Sequence, residues 1–329
     1  MQHTNALPDP RMDIYARPQQ LVRISRRRRL NVFATGAGEP TVILAAGGGG
    51  STIHWGLVQY ELARTNRVLS FDRAGMGFSD PGPMPRTAGR AVDDLRAALA
   101  VLGIGPPYVL VGHSMGSFDM RLFAFRHPDQ VVGMVLVDPR GDDLAQGFRE
   151  TSATLSAAYQ ENRAQLRRNS VLASSKSKPG SNEYATLVPP DDPLLTPAVN
   201  AALRDTMLRP SFWRTVASEG DCLDGASAQE LAEARRPLGS MPLIVLTASA
   251  SPFACPPEDA EAVTAMWRSS HDELAALSQR GVRRDVPEVG HMIPTEKPSI
   301  VVAAIREVCA AARWPESELP VGSMAGSGR

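Results

Sequence analysis

Residues 107–139 read PYVLVGHSMGSFDMRLFAFRHPDQVVGMVLVDP, and their reading decides the fold. Val109–Val111 is an apolar, β-branched run that predicts a buried strand. Gly112-His113-Ser114-Met115-Gly116 follows, and an amphipathic segment to about Arg126 predicts a helix. Strand, G-x-S-x-G, helix is the setting in which this motif carries a mechanism, because the serine then sits on a sharp turn with its oxygen raised above the strand end. Gly112 and Gly116 are needed because a side chain at either would collide with the turn or a neighbouring strand. With Gly and Ser each near ~7% of residues, a bare G-x-S-x-G arises by chance on the order of 0.1 times in a chain this long. The flanking strand and helix make the chance reading weaker still. Val131–Val137 is the next apolar run and predicts the following strand.

Toward the N-terminus, the same alternation recurs. Residues 1–18 are polar with three prolines and are expected to be a loose leader. Leu21–Ala34 predicts a hairpin whose turn holds Arg26–Arg29; the run is short, so solvated arginines are expected there rather than a nucleic-acid contact. Thr41–Ala46 predicts a buried strand opening into Gly47-Gly48-Gly49-Gly50-Ser51, where glycines after a core strand let backbone pass close to a ligand. A helical segment to about Ala63 follows, then a strand over Arg67–Phe71, the turn residues Asp72–Asp80, and an amphipathic helix over Ala88–Leu102.

Beyond Arg140 the pattern changes. Residues 141–239 show no buried strand and hold helical segments such as Leu144–Arg168, Pro197–Leu208 and Ser227–Arg236, with a Ser-, Lys- and Pro-rich loop at Ser174–Pro193. Alternation resumes with a strand at Pro242–Thr247, a helix within Glu258–Gln279, a strand at Val282–Val286 and a helix at Pro298–Ala312. The tail, 314–329, is expected to be disordered. The expected fold class is α/β: a doubly wound, mostly parallel sheet of about eight strands, with a helical lid inserted after strand six. The core is divided by that insertion into 19–140 and 240–313.

The chain has 329 residues, 43% of them hydrophobic, which suits one large domain with an insertion. Its 35 basic and 35 acidic side chains leave no charge asymmetry to draw nucleic acid or an anionic membrane. No run approaches the ~18 apolar residues of a membrane span, and the N-terminal stretch lacks a secretory apolar segment. Cys222, Cys255 and Cys309 are widely spaced, offer neither a metal pattern nor a disulfide framework, and point to a reducing, cytoplasmic setting. Gly47–Gly50 lacks the Gly-Lys-Ser/Thr of a phosphate loop, and no paired histidines mark a metal site, so neither cofactor nor metal is expected.

Four landmarks, AAGGGGS at 45–51, SFDRAGMGFSD at 70–80, GHSMG at 112–116 and VGHMI at 289–293, make the chain resemble the α/β-hydrolase fold superfamily. The resemblance covers about Leu30–Arg140 and about Met241–Ala312, with the insertion in the usual place of a lid. Two departures stand out: Thr247–Pro252 lacks the carboxylate that many relatives carry after strand seven, and Ala46 stands where a histidine is common.

The resemblance implies a serine nucleophile, Ser114, whose weak hydroxyl needs a base. His291 stands in the loop where relatives carry that base, and the order Ser, acid, His suits the fold. Of the other histidines, His54 is a candidate substrate contact, while His3, His113, His127 and His271 read as leader, packing, cap and mid-helix residues. The acid is open between Asp138, in a strand-Asp-Pro setting that some lipases of this fold use, and Glu258 or Asp259 in the loop after strand seven, with Asp142 and Asp143 behind them. The absent carboxylate after strand seven favours Asp138. The N–H groups of Met115 and Gly48 are the expected oxyanion donors, and Asp72 and Arg73 are read as scaffold. Phe148, Phe212 and Trp213 are expected to line an apolar pocket under the lid.

The function implied is hydrolysis of a small to medium, partly apolar carboxylic ester or lactone through an acyl-enzyme on Ser114. Amidase, carbon–carbon bond hydrolase, perhydrolase and acyltransferase chemistry on the same residues, or a non-catalytic ligand-binding receptor of the same fold, are the alternatives. The oligomeric state is not legible.

Overall fold

The computed structural model describes residues 8–174, 187–188, 190–250 and 253–312. Most of the expected Ser174–Pro193 loop and all of the expected tail at 314–329 lie outside these residues. Eight strands form one sheet in the order β1-β2-β4-β3-β5-β6-β7-β8. They are β1 (Gln20–Arg23), β2 (Arg29–Thr35), β3 (Thr41–Ala45), β4 (Val68–Phe71), β5 (Tyr108–His113), β6 (Val131–Val137), β7 (Leu243–Ala248) and β8 (Gly281–Val286). β2 runs antiparallel to β1 and β4, and the remaining neighbours are parallel.

Strand alternation sends successive side chains to opposite faces. Ile43, Tyr108 and Leu110 join a core packed under α2 (Ala88–Leu102) and α3 (Gly116–Arg126). Val42, Leu44, Val109 and Val111 join a second core under α1 (Gly56–Leu62) and the C-terminal helix Pro298–Ala311. Burial on both faces explains why β3, β5 and β7 read as continuous apolar runs. β8 is an edge strand: half-buried Arg283 and exposed Arg284 pair with Asp272 and Glu307. Since β5 to β8 are parallel, the segments leaving their C-terminal ends meet at one sheet edge.

Three expectations are corrected. The described part of the leader is docked: Pro10–Ala16 is a 3-10 helix whose Met12 and Tyr15 are buried against Ile53 and Val199. Its apolar residues are too sparse for a periodicity signal, and burial comes from partners far along the chain. The segment 144–168 is broken into α4 (Leu144–Thr151) and α5 (Ala153–Ser174). Ser152 is extended between them; its hydroxyl accepts from Leu155 N at 3.1 Å and donates to Asp259 at 2.5 Å, so a serine cap restarts the helix. A further helix, α7 (Pro210–Leu223), lies between α6 (Pro197–Met207) and α8 (Ala226–Ala234). Among the described residues, 141–239 contain helices and no strand. The arginine turn is not simply solvated: Arg28 pairs with Asp94 at 2.7 Å and Arg29 with Asp80 at 3.1 Å.

Candidate active site

Ser114 leaves the end of β5 with φ +50°, a left-handed conformation costly for a residue with a Cβ. Its N–H donates to Val137 O at 3.1 Å, and its carbonyl accepts from Ser117 N at 3.1 Å and Arg140 N at 3.2 Å. The turn is therefore anchored to β6 and to the start of α3. A Cβ on Gly112 would lie 2.7 Å from the Gly116 carbonyl oxygen, and one on Gly116 would lie 2.4 Å from the Ala45 oxygen. Both glycines are demanded by close backbone approach.

Asp138, the residue after β6, is fully buried and also has positive φ, +39°. Its Oδ2 lies 2.6 Å from His291 Nδ1, while Oδ1 accepts from Ala248 N at 2.9 Å and Trp267 Nε1 at 3.3 Å. Three donors satisfy a carboxylate that would otherwise be costly to bury. The last residue of β7, whose following stretch offers no carboxylate, contributes its backbone N–H to the carboxylate after β6. With Nδ1 on Asp138, Nε2 is the ring nitrogen of His291 left for chemistry.

Two neutral histidines frame this pair. His113 Nε2 lies 2.9 Å from the His291 carbonyl, so it must carry the proton, and it fixes the His291 loop. Burial, and then the neighbouring His291, push the His113 pKa down to about 3. His271 Nε2 likewise donates to Pro139 O at 2.8 Å, which leaves Nδ1 to accept from the Thr247 hydroxyl at 2.8 Å. Burial pushes His271 down to about 4. It therefore ties α9 (Ala260–Ala275) to β7 and to the peptide beside Asp138. Sequence reasoning assigned no site role to Trp267 or His271, and only their shared helix face, four residues apart, hints at it.

The glycine loop is clamped by Arg73. Its buried guanidinium donates to Ala46 O and, at 2.7 Å, to Gly47 O, and its Nε meets Glu219 of α7 at 2.8 Å. Gly47 O also accepts from Gly50 N at 3.0 Å. In a trans peptide the carbonyl and the next N–H point in opposite directions, so fixing Gly47 O fixes Gly48 N–H. Arg73 is thus more than turn scaffold, since it links this loop to the inserted helices. Burial raises the neighbouring Asp119 to about 7, against the pull of Arg73.

Gly48, Ser114, Met115 and His291 line one cavity of about 380 Å³. Its remaining wall comes from Arg140, Phe253 and Trp267 of the core and from α4, α5 and α7. The other expected residues are elsewhere. Phe148 is buried in an aromatic cluster with Tyr159 and Phe253, Phe212 is buried against Trp213, and Trp213 packs beside Ala173 and Leu187. Phe148 and Phe212 are covered by other side chains, where large aromatic rings release most free energy, and Trp213 is half-buried. His54 lines a separate cavity of about 600 Å³ with Asp192, Arg204 and Met292, and its Nδ1 accepts from Ser51 N at 3.2 Å. Asp259 is taken up by Ser152, Glu258 is exposed, and Asp142 pairs with Arg121; none of them is bonded to His291. Among the described residues, no three His, Cys, Asp or Glu side chains gather as a metal group, and no helix is long and apolar enough to cross a membrane.

A family model described as the alpha/beta hydrolase family matches residues 42–305. An uncharacterized Bacillus subtilis protein, YqjL, is 25% identical over 280 residues, covering 84% of this chain and 86% of its own. Matches to several other curated relatives span only 14–35% of those proteins. Among solved structures, a thermophilic esterase from Thermogutta terrifontis superposes with TM-score 0.61 at 23% identity, over 90% of this chain and all of its own (100%). The epoxide hydrolase CorEH superposes with TM-score 0.60 at 19% identity, over 88% and 98%. At these identities the superpositions speak for the fold.

Proposed function

The chain belongs to the alpha/beta hydrolase family, and from that premise we propose that it is a serine hydrolase cleaving a small to medium, partly apolar carboxylic ester or lactone. The observation that carries this reading is the 2.6 Å contact of His291 Nδ1 with Asp138, behind a cavity that His291 shares with Ser114. In this reading His291 Nε2 removes the Ser114 proton as Oγ attacks the acyl carbon. The oxyanion is met by the N–H groups of Gly48 and Met115. Collapse expels the alcohol oxygen, which takes the proton from His291, and leaves the acyl group on Ser114. Water, deprotonated by His291, then attacks the acyl carbon, and His291 returns that proton to the departing Ser114 oxygen as the acid is released. Asp138 holds the ring with Nδ1 protonated and stabilises the imidazolium.

A serine at the elbow supports ester chemistry over epoxide opening of the kind that uses an aspartate nucleophile. The inserted helices act as a lid whose side chains bound the substrate. A fluorophosphonate probe tests the proposal: one adduct, on Ser114, is expected. Absence of labelling in the folded protein, or labelling that persists in Ser114→Ala, would sink it. A panel of esters, lactones and amides then ranks the bond cleaved, with esters and lactones expected ahead of amides.

A further inference from the structure

The ionisable groups on the Ser114 cavity are unequally satisfied. Glu219 gives both carboxylate oxygens to Arg73, at 2.8 and 3.2 Å. Arg140 is taken up by Asp224, the Tyr159 hydroxyl and the Gly141 carbonyl. Arg163, on α5, is buried yet makes a single hydrogen bond, Nη2 to Asp221 at 3.0 Å. Asp221 also accepts from Arg167 at 2.6 Å, so one carboxylate serves two guanidiniums and a positive charge is left over. Nε and Nη1 of Arg163 have no hydrogen-bond partner among the described residues. Neighbouring Asn162, exposed at the rim of the same cavity, also has no side-chain partner among them.

A second observation points the same way. Gly220 lies within α7 and on the cavity wall, although glycine in a helix interior costs about 1 kcal/mol relative to alanine. A Cβ there would lie 2.8 Å from Arg163 Nη1 and 3.1 Å from its Cζ. The glycine makes room for the guanidinium to lie against α7 at the cavity wall.

We infer that Arg163, with Asn162, is a subsite for an oxyanion carried by the substrate, so that the preferred ester or lactone bears a carboxylate or phosphate in addition to its apolar part. This deepens the serine-hydrolase reading and rests on it. The planar fork of a guanidinium presents paired N–H groups that match either oxyanion. Leu144, Leu166, Val216 and Leu223 supply apolar wall in the same cavity.

The test compares kcat/KM for mono-4-nitrophenyl glutarate with that for the neutral 4-nitrophenyl valerate. Wild type is expected to favour the hemiester, and Arg163→Gln to lower the hemiester-to-valerate ratio at least tenfold, mainly through KM. Gly220→Ala is expected to lower it as well, because the new methyl displaces the guanidinium while the charge remains; alanine also strengthens the helix, so unfolding is not the cause. Arg168→Gln, an exposed arginine of α5 paired with Glu161, should leave the ratio unchanged. Calorimetric titration of wild type and Arg163→Gln with glutarate and with inorganic phosphate tests the subsite without turnover, and the tighter of the two names the oxyanion. Ratios within twofold of wild type in both the Arg163 and Gly220 variants, or glutarate and phosphate binding that ignores Arg163, would overturn the inference. Arg163-dependent anion binding in a protein whose Ser114 is neither labelled nor active would sink the hydrolase reading and leave the subsite standing.

Discussion

On the sheet side of the Ser114 cavity, positions are held by backbone and by short uncharged links. Asp138 is gripped by Ala248 N–H and Trp267, the His291 loop by His113, and Pro139 by His271. On the inserted side, they are held by ion pairs. Arg73 meets Glu219 at a separation of 146 residues, Arg140 meets Asp224 at 84, and Arg163 meets Asp221 at 58. In the proposed mechanism the sheet side keeps geometry for chemistry, and the inserted side sets what charge and shape the cavity presents. Changes on the first should act on rate, and changes on the second on selectivity and on the docking of the helices.

The sharpest break is expected from Asp138→Asn, which keeps shape but removes the charge and favours the wrong His291 tautomer. The comparable change in the best-studied triad lowers kcat about 10⁴-fold, so a loss of at least about 10² is expected here. Steady-state kcat against titrated active sites measures it. Glu258→Gln and Asp259→Asn should be far milder, and the Asp259 change should act through the Ser152 cap on stability.

Arg73 belongs to both sides, so Arg73→Gln should blur the contrast. It strands Glu219 in a buried site and removes a donor from the Ala46 and Gly47 carbonyls. Loss of one partner of a buried ion pair costs about 3–5 kcal/mol. Urea unfolding of Arg73→Gln, Glu219→Gln and the double variant should show losses that add to less than their sum.

Acid should attack the sheet side through its neutral histidines. His113 and His271 are held at about 3 and about 4, below the ordinary 6.5. Above 6.5 both states leave these rings neutral and no stability is lost. As pH falls below 6.5 the unfolded chain takes up protons that the folded protein refuses. Each ring then removes about 1.4 kcal/mol of stability per pH unit until its folded pKa is reached. Chemical denaturation at intervals from pH 7 to 4 isolates one ring's share by difference: His271→Gln should lose about 1.4 kcal/mol less per pH unit than wild type.

The smallest effect is expected from Trp267→Phe, which keeps the ring but loses the 3.3 Å N–H bond to Asp138. One lost hydrogen bond to a charged group is worth about 1.5–3 kcal/mol at most. The bond is long and Asp138 keeps two other donors, so kcat/KM should fall roughly tenfold or less.

Where the sequence was legible, the reason is local. The strands of 41–45, 108–113 and 131–137 announce themselves because burial on both faces forbids polar residues along the run. Gly112 and Gly116 are legible because the steric demand falls on the motif that states it. The Met12–Tyr15 docking, the Ser152 break and the packing of Phe148, Phe212 and Trp213 were not, since each depends on a partner from another segment. An aromatic residue on an inserted helix reads the same whether it faces a neighbouring helix or a cavity.

The sequence by itself determined the parallel sheet, the elbow at Ser114 and the identity of the loops brought to its edge, because apolar periodicity and glycine sterics are properties of contiguous residues. The choice of Asp138 to face His291 was decided by tertiary structure, as Ala248 and Trp267 reach its carboxylate from β7 and α9 and His271 holds the Pro139 carbonyl beside it. So was the charge of the cavity: Arg163 stands out from thirty-odd similar basic residues only once Gly220 and a shared Asp221 are laid beside it. Ion pairing is a matter of distance in space, and a linear chain carries no record of which of its 35 acidic side chains will come within reach.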